Sequence, residues 1–152
     1  MNELILTRDG LKEISKIEVG NEITSYDEAT DSFTTSVVSS VIVHDGRQYF
    51  MNNFSSYPLL RLTVNINDKL YETKVTDNHP YFDAVARSYR KLRDFKIGDK
   101  VKTVDGEGII VHKEVLINGD SPAHMQNEIV YNLHMIQGPS NYIVNGAVVH
   151  NK

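Results

Sequence analysis

Apolar and polar positions alternate along most of this chain in short runs, each broken by Gly, Asp or Asn. That pattern predicts β-strands joined by tight turns. Leu4-Ile5-Leu6-Thr7 reads as a first strand, stopped by Arg8-Asp9-Gly10. Leu11 to Ile17 alternates loosely up to Val19-Gly20-Asn21, and Ile23 to Tyr26 is a strand closed by Asp27 to Asp31. Phe33 to Val43, rich in Thr, Val and Ser, predicts a long bent strand turned by His44-Asp45-Gly46. Tyr57 to Asn65 and Lys69 to Val75 form the arms of a hairpin about Asn67-Asp68. Asp83 to Leu92 is the one segment with helical spacing, through Val85, Ala86, Tyr89 and Leu92. Asn118 to Glu128 reads as a loop, and Asp105-Gly106-Glu107-Gly108 as a tight turn.

The pattern also repeats. Ile14 to Asp27 lies on Leu92 to Asp105 at a constant offset of 78 residues, without a gap, with apolar on apolar and Gly20 on Gly98. A gapless repeat of this kind predicts two related β subunits in one fold.

Composition narrows the class. The 152 residues suit one domain, 1–152, and 40% apolar with 24% charged residues is a globular composition. The net charge of −4 argues against a nucleic-acid or anionic-membrane surface, and the one dense basic run, Arg87 to Arg93, reads as a solvated turn. No stretch reaches transmembrane length, and no signal peptide is visible at Met1-Asn2-Glu3. The chain has no cysteine, which excludes disulfides, thiolate metal sites and an internal cysteine nucleophile. Among the six histidines (44, 79, 112, 124, 134, 150) none is spaced His-x-His or His-x-x-x-His, so no metal site is expected. Absence of cysteine does not fix the compartment; a cytoplasmic location and a monomer are the expectation.

Two stretches carry chemistry. Thr76-Asp77-Asn78-His79-Pro80 follows a hairpin arm, so a strand end delivers an imidazole held by a rigid proline. Thr76 and Asn78 are then placed to donate hydrogen bonds to a nearby carbonyl oxygen. The second is the close of the chain, where an apolar strand runs into His150-Asn151. An asparagine amide can attack its own backbone carbonyl to give a succinimide, breaking the chain after it. A neighbouring histidine is suited to the general-acid work.

Together these blocks resemble the Hint family, the module shared by inteins, hedgehog autoprocessing domains and bacterial intein-like domains. Leu4 to Gly10 with Ile14 to Ile23 is similar to the family's first block, Thr76 to Pro80 to its Thr-x-x-His block, and Phe95 to Val101 to its second Gly-Asp strand. Val130 to Leu133 and Tyr142 to Asn151 are similar to its two closing blocks. The resemblance covers essentially the whole chain. It implies an all-β, horseshoe-like fold of long bent antiparallel strands with pseudo-two-fold halves and little or no helix. It also implies self-catalysed splicing or autocleavage: an N-terminal acyl shift assisted by Thr76, Asn78 and His79, then cyclisation of Asn151 helped by His150. Asn132, Asp99 and His134 would support these steps.

The resemblance further implies no cofactor, flanking polypeptides (exteins) in cis or a complementary fragment in trans as partners, and single-turnover action. With Asp105 to Gly108 as a tight turn, no homing endonuclease is inserted. Four departures stand out. The family's nucleophile would fall at or just before Met1, whose thioether cannot form a thioester. Asn132 stands where the family has Asp, and Ser140 where it has His. Lys152 follows Asn151 in place of Cys, Ser or Thr, which favours cleavage over splicing. The competing reading is a non-catalytic Hint-like β scaffold within a larger secreted or toxin-like protein.

Overall fold

A computed structural model describes residues 3–45, 58–117 and 129–151. The chain there is almost wholly antiparallel β-structure, with two single 3-10 turns, Ile14–Lys16 and Leu92–Asp94. The strands are β1 (Leu4–Thr7), β2 (Gly10–Glu13), β3 (Glu22–Asp27), β4 (Ser32–Asp45), β5 (Leu59–Ile66), β6 (Lys69–Thr76) and β7 (Pro80–Asp83). They continue with β8 (Ser88–Lys91), β9 (Lys100–Thr103), β10 (Gly106–Ile117), β11 (Ile129–Ile136), β12 (Asn141–Val144) and β13 (Ala147–His150).

All join one curled sheet in the order β11-β4-β3-β1-β12-β13-β7-β9-β10-β5-β6, with β2 on β1 and β8 on β7. That order is symmetric about the β12–β13 hairpin: β1, β2, β3 and β4 on one side answer to β7, β8, β9 and β10 on the other. The sequence repeat accounts for it down to single hydrogen bonds. In the first copy the Gly20 N–H donates to Val38 O at 2.8 Å and the Val38 N–H to Asn21 O at 3.0 Å. In the second, the Gly98 N–H donates to Ile110 O at 2.7 Å and the Ile110 N–H to Asp99 O at 2.9 Å. Each copy is closed by a side chain in an Asx turn. Asn21 Oδ1 accepts the Glu18 N–H at 2.9 Å, and Asp99 Oδ2 accepts the Lys96 N–H at 2.8 Å.

The central hairpin is apolar on both faces because it is buried on both. Tyr142, Val144, Ala147 and Val149 join one core cluster with Ile5, Tyr81 and Leu92. Ile143 and Val148 join a second with Tyr26 and Phe82. Each buried valine, isoleucine, leucine and phenylalanine among them contributes about 1.5–3 kcal/mol. The hairpin turns at Asn145-Gly146, both at positive φ (47° and 85°), which a two-residue turn of this hand requires. The long strands β10 and β4 bend where they carry an extra residue: β10 between Ile110 and His112 and between Val115 and Ile117, and β4 between Val38 and Ser40, opposite His134 and Met135.

Several expectations change. Asp83 to Leu92 is a hairpin, β7–β8, not a helix: Asp83 Oδ1 accepts the N–H groups of Val85 and Ala86 at 2.9 and 3.0 Å and ties off a turn, with Arg87 at φ 59°. The arginines that follow are tied down rather than simply solvated. Arg87 Nη2 donates to Tyr26 Oη, Arg90 pairs with Asp83 at 2.7 Å, and Arg93 pairs with Asp77 at 3.0 Å. His44 and Asp45 stay in β4, opposite Val130 and Ile129, and Gly46 lies outside the described residues, as does the loop expected over Asn118 to Glu128.

Candidate functional site

The end of β6 builds the first half of the site. Thr76 is 1% exposed, and its Oγ1 donates to Asn78 Oδ1 at 2.8 Å. That bond orients the Asn78 amide. The His79 N–H closes the turn on Thr76 O at 3.1 Å, and His79 O accepts the Leu92 N–H at 3.0 Å. Below the turn, the Arg93 N–H donates to Asp77 O at 2.7 Å. Pro80 then fixes φ as β7 begins. The His79 ring is buried, edge-on to Tyr81 (centroids 6.2 Å apart) and Tyr142 (6.3 Å).

These groups face a cavity of about 40 Å³, lined also by Glu3, Thr76 and Val149. Burial raises the Glu3 carboxyl above the usual carboxylate range, against the opposing bond that Glu3 Oε1 accepts from the Lys74 N–H at 3.1 Å. Burial likewise raises the Tyr142 hydroxyl, opposed by its bond to the backbone of Leu133.

The second half is the end of β13. His150 Nδ1 lies 2.6 Å from Asn151 O. A carbonyl oxygen only accepts, so Nδ1 carries the proton in this contact. The Asn151 N–H is held by Ser140 O at 3.1 Å, and the His150 ring packs on Tyr89 at 4.8 Å. Tyr89 is fixed in turn by Asn141, whose Nδ2 donates to Tyr89 Oη at 2.9 Å.

The antiparallel pair Val149–Tyr81 joins the two halves. Strand alternation puts Val149 on the face of Tyr81 and His79, and His150 on the opposite face with Phe82 and Tyr89. The two imidazoles thus approach the site from opposite sides of the sheet. Glu3, just ahead of β1, and Val149, two residues before Asn151, line the same cavity as His79. Met1 lies outside the described residues.

The supporting residues fare differently. Asp99 closes the turn of the second repeat, a structural task. Asn132 and His134 contact each other at 3.4 Å (Nδ2 to Nε2) and do not line the cavity; their neighbour Tyr131, on the other face of β11, does. Reading from sequence missed Glu3, Tyr81, Tyr142, Tyr89 and Asn141. The one available signal was the aromatic two residues past His79, in step with it on an alternating strand. Among the described residues no group of three His, Asp or Glu stands together to hold a metal.

A curled sheet of two symmetric halves, with one histidine after a Thr-x-x-His turn and another against the carbonyl of a closing asparagine, defines an intein-like domain of the Hint superfamily. The chain belongs to the pretoxin HINT domain family, which it matches over residues 4–152. Its fold is similar to the solution structure of a bacterial intein-like domain from Clostridium thermocellum (TM-score 0.73, 20% identity, 99% of each chain covered). It is similar as well to the crystal structure of a DnaB intein from Synechocystis sp. (TM-score 0.73, 18% identity, 99% of this chain and 95% of that one). The gp41-1 intein gives a TM-score of 0.67 at 16% identity, covering 99% and 94%. No curated protein matches the chain by sequence.

Proposed function

We propose that this Hint domain cuts its own chain after Asn151, and that Thr76, Asn78 and His79 act at the junction where a flanking polypeptide enters ahead of Glu3. The observation that carries the reading is the 2.6 Å contact from His150 Nδ1 to Asn151 O. That oxygen belongs to the carbonyl that must be attacked. Asn151 Nδ2 forms a bond to its own carbonyl carbon, the bond from that carbon to the next nitrogen breaks, and the proton released by the amide passes to the departing amine. No water is consumed, and the product is a C-terminal succinimide. The His150 imidazole polarises the carbonyl and stabilises the charge that grows on its oxygen.

At the other junction, the buried His79, which lines one cavity with Glu3, protonates a leaving amide nitrogen, and Thr76 orients the amide of Asn78 by donating to its oxygen. The substrate in each case is the flanking polypeptide in cis, so each domain turns over once.

The test is a fusion with a reporter protein after Lys152, followed by intact-mass spectrometry. We expect release of the reporter with Lys152 at its new N-terminus and a succinimide on the domain. Asn151→Ala abolishes release, His150→Ala slows it by about 10²–10⁴-fold, and His79→Ala leaves it unchanged. A wild-type fusion that stays intact, or an active Asn151→Ala variant, would refute the reading.

A further inference from the structure

We propose that the phenolic hydroxyl of Tyr81 is a catalytic hydrogen-bond donor to the carbonyl oxygen of the polypeptide that enters the His79 cavity ahead of Glu3. This rests on the reading of that junction given above and adds a residue to it.

Tyr81 is 1% exposed, and its hydroxyl has no hydrogen-bond partner among the described residues. A buried hydroxyl left so is a net cost to folding, and its persistence asks for a reason. Its neighbour Tyr142, equally enclosed, is bonded to the backbone of Leu133. Tyr81 instead faces the cavity with His79 and Glu3. Roughly 10–15 Å³ of such space holds one water, so a cavity of about 40 Å³ has room for a carbonyl group.

The donor is also preorganised. The Tyr81 backbone is pinned on both sides, by Val149 of β13 and Arg90 of β8, and the ring is fully packed. Burial holds the phenol well above its ordinary pKa, with Tyr142 and Glu3 adding to the effect, so the proton stays on oxygen wherever the domain is folded. A neutral donor held rigidly in an enclosed site stabilises a developing oxyanion without having to reorganise. His79 supplies the proton for the leaving nitrogen, and Tyr81 holds the oxygen.

The test uses the full chain with a leader peptide ending in Cys ahead of Met1, and follows thiol-induced release of the leader alongside release of a reporter after Asn151. Tyr81→Phe should slow leader release by about 10²–10³-fold, leave reporter release unchanged, and keep or raise the melting temperature, since the hydroxyl has no bond to lose. Unchanged leader release would overturn the proposal. So would equal slowing at both junctions, or a lowered melting temperature, which marks a structural hydroxyl.

If the wild-type leader is not released at all, the reading of that junction has failed, and the contact is judged directly. The tyrosine Cζ resonance of Tyr81 is compared with and without a leader ending in Ala. A shift absent from Tyr81→Phe spectra upholds the hydrogen bond, and an unmoved resonance sinks it.

Discussion

The imidazole of His150 stands edge-on to the ring of Tyr89, centroids 4.8 Å apart and planes at 73°. That edge contact and the 2.6 Å contact from Nδ1 to Asn151 O together hold the ring's rotation, and rotation decides whether Nδ1 points at the carbonyl oxygen of Asn151. Aromatic pairs of this geometry are worth about 0.5–1.5 kcal/mol, up to about tenfold in a rate that depends on the orientation they hold. Tyr89→Leu should slow cleavage after Asn151 by about tenfold, and Tyr89→Phe by far less, because it keeps the ring. Release of a C-terminal reporter measures both, with circular dichroism to check the fold.

Asn141 ties β12 to β3 past the end of β1. Its Oδ1 accepts the Tyr26 N–H at 2.7 Å, its Nδ2 donates to Tyr26 O at 2.8 Å, and its own carbonyl accepts from Ser25 Oγ at 2.7 Å. The side-chain amide thus does what a neighbouring strand's peptide would do. Asn141→Ala orphans two buried backbone groups and should cost about 3 kcal/mol, at roughly 1–3 kcal/mol for each. Thermal denaturation should show a drop of about 6–12 °C, taking 2–4 °C per kcal/mol for a chain of this size.

Asp83 makes stability depend on pH. Its side chain is 8% exposed. Burial alone would raise its pKa, but the N–H groups of Ala86 and Val85 and the Arg90 guanidinium outweigh it and hold the carboxyl below its ordinary value. A depressed folded pKa means the contribution is complete above the unfolded pKa and is lost as pH falls through the folded one, below about pH 4. Asp83→Asn should lower stability at pH 7 by about 1–3 kcal/mol and flatten this acid limb. Urea midpoints from pH 7 down to about pH 2 test both.

The sequence by itself determined most of the strands, the hairpin at Asn67-Asp68 and the pairing of Ile14–Asp27 with Leu92–Asp105. Those features are local: alternation sets a strand's faces, and Gly, Asn or Asp sets its turn. It also set His150 and Asn151 side by side in the chain, while the ring contact that holds the imidazole, with Tyr89, is tertiary. Only the tertiary structure decided that Asp83 to Leu92 is a hairpin. There the helical spacing was coincidental, because Tyr89 and Leu92 pack into different core clusters and Val85 into neither. Tertiary structure alone, too, separated Asn132 and His134 from the cavity, gave Asp99 to a turn, and gathered Glu3, His79, Tyr81 and Tyr142 around one small space. Those residues lie up to 139 positions apart in the chain, and what joins them is strand register across the central hairpin, which no local pattern records.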